Sequence, residues 1–422
     1  MADLVTGVSE GLAAMSAAVT RRTMLRLSIV LLALLAAPRA VFETWRLLYG
    51  QTWYDATDIR NFHNLTVTWL SGRDIYATVA NADYPPASWP LMYPMYVLDN
   101  DINRWVWFVH ATVVLSLLIW MCVRESGAES PEEKLCVAMI PLAMFSTGVA
   151  FGNGQLVIHA LTASTAGMLL LYRSRGRMAW EIAAAACMLF ALIKPNLTAP
   201  FFWIFLLVPR RKHAAAYVIV GYVLLTLVGA SLQPASLLDQ FRGFVANGLE
   251  VTERFIGYGA VPMWLMWAGV PNLIMPFTLV ALAAMGIWVW LNREADWWLL
   301  YGGLAIMTRL WAYHQLYDDL LNLFAIIALI RLALGRAGNR EPDRLAWIVL
   351  LLAMTTLPGP ATPLRFWSGW ISVVDRGWQT GVRLIMLALI MHRAWVLRVR
   401  TRVEQPHEPV IHPGPMQPRV LS

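Results

Sequence analysis

Apolar blocks of roughly twenty residues recur along the chain from Leu27 to Trp395, separated by short polar or basic joints. A helix needs about 20 mostly apolar residues to cross the hydrocarbon core of a bilayer. The blocks are continuously apolar rather than alternating, so they predict helices and not the strands of a membrane barrel. The resulting expectation is an all-α fold, a polytopic transmembrane bundle of about twelve spans. The first falls near Thr23–Phe42, the second near Arg104–Val123 and the seventh at Ala214–Leu232. Two stretches are irregular. The sixth span is short, and Pro262, Pro271 and Pro276 can break the Val261–Trp290 region into two re-entrant pieces.

Charge gives the blocks an orientation. Arg and Lys collect in every second joint, at Arg21-Arg22, Arg173–Arg177, Arg210–Lys212, Arg331–Arg344 and Arg393–Arg402. That alternation is the positive-inside pattern and places both ends in the cytoplasm. Residues 1–22 then form a cytoplasmic segment, and residues 23–402 the transmembrane domain. Within it, residues 43–103 make a long first extracytoplasmic loop. Residues 403–422 are a proline-rich tail expected to be disordered. A twin-arginine export signal at Thr20–Leu25 is the lesser reading, because apolar segments continue to follow it. Composition agrees with lipid as the solvent: 58% of residues are hydrophobic and 14% charged, against about a quarter charged in soluble chains. The net charge of +7 is accounted for by topology, so no nucleic-acid partner is expected. Cys122, Cys136 and Cys187 have no ligand spacing and no even pairing.

The candidate chemistry lies in the joints on the other face, where the orientation rule wants few charges. In the first loop Asp55, Asp58 and Arg60 precede Gly72-Arg73-Asp74-Ile75-Tyr76 and Tyr84-Pro85-Pro86. Ile59, Phe62, Leu65 and Trp69 fall on one helical stripe over Asp58–Leu70, with Gly72 placed to end the helix. Asp58 then reads either as a helix cap or as a working carboxylate. Gly152-Asn153-Gly154-Gln155 reads as a tight turn, which does not require Gln155. Lys194, before Pro195-Asn196, either snorkels to the interface or faces a cavity. Arg309 to Asp319 holds Trp311, Tyr313, His314, Tyr317 and Asp318. So dense a polar run lines a site or forms an interfacial belt in which Arg309 pairs with Asp318 or Asp319.

In this order the motifs resemble glycosyltransferase family 87, the polyprenol-phosphate-mannose-dependent mannosyltransferases of the type C membrane class. The resemblance runs over roughly residues 40–335. It implies the type C architecture, a catalytic role for Asp58, donor-cavity positions at Lys194 and Tyr84, and a place for His314 near the donor phosphate. The chain departs from the family pattern in two places. Thr308-Arg309 stands where Ser-Pro is common, and Gln315 follows a single His where paired histidines are common.

The chemistry is consistent with that resemblance. A sugar on a polyprenyl phosphate already carries a good leaving group. The protein must supply a base for the acceptor hydroxyl and positive charge for the departing phosphate. Asp58 is the expected base, with Asp55 its competitor. Lys194, Arg309, His314, Tyr84 and Gln155 are the expected donor and phosphate residues, and Arg60, Asp318 and Asp319 secondary ones. No cofactor is expected; a divalent ion at Asp55 and Asp58 is the open alternative. The expected partners are a polyprenyl-phosphate sugar, a glycolipid or glycan acceptor and membrane lipid, on the outer face of a bacterial inner membrane. One rival is a twelve-span secondary transporter or a lipid or glycan flippase. Such carriers usually show repeated halves, and none are visible here.

Overall fold

The computed structural model describes residues 2–52, 55–79, 82–174, 176–208, 212–255, 257–337, 341–359 and 370–404, with side chains within residues 20–399, residue 372 apart. No strand occurs among the described residues. The first apolar block becomes α1 (Ala2–Tyr49), which continues past Phe42 and carries Arg39, Glu43 and Arg46 on one face. The first loop holds α2 (Thr57–Leu70), α3 (Ile75–Thr78) and α4 (Ser88–Tyr96). The stripe expected for α2 is the one it buries: Ile59, Phe62, Leu65 and Trp69 all face inward. Gly72 follows its end with φ +69°. Then comes α5 (Asn100–Glu125), whose 26 residues reach about 39 Å at 1.5 Å per residue.

The next blocks form α6 (Pro131–Ala143), α7 (Phe145–Asn153), α8 (Val157–Arg173), α9 (Met178–Ala191), α10 (Pro195–Thr198) and α11 (Phe202–Leu207). The remaining helices are α12 (His213–Ser231), α13 (Leu237–Phe255), α14 (Val261–Trp267), α15 (Ile274–Leu291), α16 (Trp297–Trp311), α17 (Asn322–Ala333), α18 (Arg344–Met354) and α19 (Trp370–Glu404). The core runs between α8, α16 and α17, where Phe201, Tyr301 and Phe324 pack tilted or edge-on with centroids 4.5–6.4 Å apart. Helix α17 is buried on nearly every side, which is why its sequence shows no amphipathic stripe.

Four helices among the described residues are long and apolar enough to cross a membrane: Thr20–Tyr49, Asn100–Glu125, His213–Ser231 and Pro271–Leu291. The pair α6 and α7, bent by 54°, makes a fifth if read as one span. The expectation of about twelve spans therefore exceeds what long unbroken helices supply. The reason is backbone breaks inside apolar blocks. Met144 is extended between α6 and α7. Lys194, restricted by the proline that follows it, leaves the helical region at φ −124° and ψ 77°. The Val261–Trp290 region breaks at Gly269 (φ +75°) and Pro271, whereas Pro276 is absorbed in the first turn of α15.

Acid–base pairs gather at the end of the bundle reached by the carboxyl terminus of α5. Arg173 pairs with Glu125, Arg336 with Glu129, and Arg331 with Asp296 at 2.8 Å. The remaining polar joints meet elsewhere, around Lys194 and Asp318.

Candidate active site

A cavity of about 1360 Å³ opens where the first loop meets the joints after α7, α9 and α16. Four segments far apart in sequence thus converge, and they are the four that carried the candidate chemistry. One wall is polar, with Asp58, Asp83, Tyr84, Lys194, Tyr317 and Asp318. Apolar flanks extend from it along α1 (Leu34, Leu35, Phe42) and along α13 and α15 (Phe244, Leu249, Ile274).

Asp58 is the second residue of α2. The N-cap position is Ala56, which supplies no capping side chain, so the carboxylate is not engaged as the cap. Ala56 is held at φ +47°, the one non-glycine residue with positive φ among the described residues. That left-handed turn costs an alanine roughly 1 kcal/mol or more and sets the direction in which α2 starts. Asp58 lines the cavity, and its Oδ2 has no hydrogen-bond partner. Burial lifts its pKa to about 6 although Lys194 and Gln155 pull the other way.

The Asn-Gly-Gln turn fits against α2. Gly154 sits at φ +76°, and a Cβ there would lie 2.1 Å from Ile59 Cγ1. Its neighbour Gln155 is buried behind the cavity lining. The Gln155 amide hydrogen-bonds the Asp58 carboxylate while its Oε1 lies 3.4 Å from Lys194 Nζ. The turn therefore ties the two charged groups together as well as reversing the chain.

Lys194 is buried and does not snorkel. Its ammonium donates to Asp318 Oδ1 at 2.9 Å and stands 4.6 Å from the centre of the Tyr317 ring. Burial alone would raise Asp318, but Lys194 and His314 hold it well below the usual carboxylate range. His314 is fully buried behind it, with Nδ1 at 3.2 Å from Asp318 Oδ2 and Nε2 at 2.8 Å from Thr308 O. Both ring nitrogens face acceptors, a pattern that the doubly protonated ring satisfies in full. Burial nevertheless lowers the pKa of the ring, with Asp318 pulling the other way. Tyr84 meets Phe62 edge-on at 5.4 Å, and its carbonyl accepts from the Tyr76 hydroxyl at 2.8 Å.

The other expected residues lie outside the lining. Arg309 is fully buried and bonds Asp319 and the Tyr258 carbonyl; Arg383 donates to the same Asp319 at 2.7 Å. Asp55 turns away from the cavity, its Oδ2 accepting from Thr52 N at 2.8 Å, and Arg60 donates to Thr52 O at 3.1 Å. Asp55 and Asp58 thus point to different places, and no group of three or more metal-ligating side chains forms among the described residues.

Two features were not anticipated. Asp83 lines the cavity with its own pKa pushed by burial to about 6, against the pull of Lys194. Arg39, Glu43 and Arg46 reach the cavity from α1. Arg46 bonds Glu43 and Asn153, each at 2.7 Å. The i, i+4, i+7 spacing of charges inside an apolar block was the available signal for them.

The family model of glycosyltransferase family 87 matches residues 83–312, more than half of the 422-residue chain. The chain belongs to glycosyltransferase family 87. It is accordingly a multi-span membrane glycosyltransferase that uses a lipid-phosphate sugar. The match contains Asp83, Tyr84, Gln155, Lys194 and Arg309, while Asp58 and His314 fall outside it. No curated protein and no solved structure matches this transferase.

Proposed function

We propose that this transferase moves mannose or another hexose from a polyprenyl phosphate to a glycolipid or glycan acceptor outside the cytoplasm, with Asp58 as the base. The observation that carries the reading is the pairing, in one cavity, of an unpartnered Asp58 oxygen with a buried Lys194. In this mechanism Asp58 takes the proton of the acceptor hydroxyl as its oxygen attacks the anomeric carbon. The bond from that carbon to the phosphate oxygen breaks, and the polyprenyl phosphate leaves with the electron pair. Lys194 retains a donor beyond the one given to Asp318 and stabilises the charge that develops on the phosphate. One displacement inverts the anomeric centre. A base with a pKa of about 6 is suited to work near neutrality.

His314 and Asp318 serve as positioning groups that fix the ammonium. Arg309 and Asp319 hold the wall behind them. We place the cavity on the extracytoplasmic side because it lies away from the joints in which Arg173, Arg331 and Arg336 are paired.

A second reading gives the base role to Asp83, which shares the raised pKa and lies within the matched region. Transfer of labelled mannose from polyprenyl phosphate mannose by purified Asp58→Asn and Asp83→Asn decides between them. Near-normal transfer by Asp58→Asn removes it from the mechanism.

A further inference from the structure

A short strap, Gly257-Tyr258-Gly259, lies between His314 and one face of α19. The amide of Tyr258 donates to His314 O at 2.9 Å, and its carbonyl accepts from Arg309 of α16. On the far side the carbonyl of Gly259 accepts from Thr380 Oγ1 at 3.2 Å and from Arg383 Nη1 at 3.5 Å. The Tyr258 hydroxyl bonds Asp375, and the Arg376 guanidinium stands 5.2 Å from the centre of its ring. Arg376, Thr380 and Arg383 are spaced four and three residues apart and so share one face of α19. The strap needs both of its glycines. They sit at φ +65° and +66°, where a side chain is strained. A Cβ on Gly257 would lie 3.2 Å from His314 O, and one on Gly259 2.8 Å from Arg383 Nη1.

Arg383 has a second grip on the same wall. It donates to Asp319 at 2.7 Å, and Asp319 directly follows the Asp318 that holds Lys194. Arg309 bonds the same Asp319 carboxylate, and both guanidiniums are fully buried. One cation would balance Asp319, and burying a second is costly, so stability alone gives no reason for the pair. We propose that Arg383 is a positioning residue for the donor phosphate. It reaches Lys194 by two routes: through Asp319 to the neighbouring Asp318, and through the strap to His314, whose ring also faces Asp318. This role rests on the reading of Lys194 as the site of the donor phosphate. Without Arg383 the Asp318-Asp319 turn and the strap both lose an anchor on α19. The ammonium then shifts from the place where the phosphate meets it, and small misplacements of such groups weaken binding and rate. Arg383 lies beyond the residues that the family model matches.

The test is a double-mutant cycle on the full chain in lipid nanodiscs. Affinity is read by competition of unlabelled polyprenyl phosphate against labelled polyprenyl phosphate mannose. Arg383→Met leaves Asp319 with Arg309, so that carboxylate is not stranded. Alone it should weaken polyprenyl phosphate roughly three- to tenfold, within the range for coupling through packed residues. The second background is Lys194→Met with Asp318→Asn, which lacks the ammonium and its counter-charge together. There Arg383→Met should change affinity by no more than about twofold. An equal loss in both backgrounds means that Arg383 acts on the phosphate by its own field or on the fold at large, and overturns the proposal. Unchanged affinity in Arg383→Met on the wild-type background overturns it as well. Gly257→Ala puts the same question without removing a buried charge, and decides it if Arg383→Met does not fold. By crowding His314 O it should show the same loss and the same dependence on Lys194; a loss independent of Lys194 overturns the proposal. If the Lys194→Met, Asp318→Asn background binds polyprenyl phosphate as wild type does, the donor-phosphate reading falls and the positioning role with it. If that background is weakened and Arg383→Met is not, the positioning role falls alone.

Discussion

Two acidic pairs border the same end of the bundle and are held in opposite ways. Asp318 and Asp319 are locked by their partners, the first by the Lys194 ammonium at 2.9 Å and by His314 at 3.2 Å. Asp319 is locked by Arg309 and by Arg383 at 2.7 Å. Asp58 and Asp83 face the cavity without a cation in contact, and burial lifts both to a pKa of about 6. A carboxylate locked among cations is a fixed charge, useful for holding an ammonium in place. One that is buried and loosely partnered exchanges its proton near neutrality. Both kinds stand within one site, and in the proposed mechanism proton transfer and phosphate positioning fall to different residues.

The sharpest way to break this comparison is to remove the proton acceptor while keeping its shape. Asp58→Asn should lower transfer by ~10²–10⁴-fold, the usual loss for a missing general base, with donor binding intact. Asp83→Asn, measured alongside it, should leave most of kcat. If Asp83→Asn collapses and Asp58→Asn does not, the two unlocked carboxylates exchange roles. If neither matters, the locked and unlocked pairs do not differ in the way argued.

The locked side answers to a binding measurement. Lys194→Met removes a charged donor from the proposed phosphate position. Donor affinity, read by competition with unlabelled polyprenyl phosphate, should fall at least about tenfold, as a charge-assisted hydrogen bond is worth ~1.5–3 kcal/mol. Since the variant also strands Asp318 without its main cation, Lys194→Met with Asp318→Asn is the cleaner protein. An unchanged affinity in both would make Lys194 a purely structural partner of Asp318.

How much of this was readable beforehand differs from residue to residue. The α2 stripe was legible because a period of 3.6 survives in a surface helix, and Ile59, Phe62, Leu65 and Trp69 are indeed its buried face. Lys194 was legible as a cation on the side where orientation does not require one. Arg309 had the same signature yet lies behind the wall. Its partners depend on Arg383, a contact no local pattern encodes. Asp83 sits in irregular chain before Tyr84-Pro85-Pro86, where an aspartate reads as a turn former. Ala56 gave no sign at all, because left-handed backbone is expected of glycine or asparagine. The span count was least legible, since block length does not reveal where an apolar helix bends at Met144, Lys194 or Gly269.

Acidity sharpens the same comparison with a smaller effect. An Asp58 with a pKa of about 6 must be ionised to act, so transfer should be level above neutrality and decline below it. Near pH 5 it should be roughly tenfold down, following the ionised fraction. Stability should move the other way. A carboxylate whose folded pKa is raised above its ordinary 3.8 favours the folded state fully below that ordinary value. The contribution is lost as pH rises through about 6. Thermal unfolding in detergent, followed from about pH 4 to about pH 7, should therefore show a slope that flattens in Asp58→Asn and Asp83→Asn. A flat wild-type profile would mean that neither group is buried as described.

The smallest effect is expected three residues upstream of the proposed base. Asp55 carries the same charge as Asp58 and lies in the same loop, so by residue type the two are equals. Their surroundings differ. Asp55 accepts from the backbone and hydroxyl of Thr52, and its side chain fills the space that a Cβ on Gly50 would take. It is therefore a brace for the turn that leads into α2. Asp55→Asn keeps one oxygen to accept those bonds, so transfer per folded molecule should remain within about twofold of wild type. The altered charge and the added amide hydrogens should cost about 1 kcal/mol of stability, seen as a modest drop in Tm. The contrast with Asp58→Asn is the informative part, because both variants exchange the same atoms. A large loss of transfer in Asp55→Asn, with Tm preserved, would show that the carboxylate at the turn takes part in proton transfer, and would move the base out of the cavity wall.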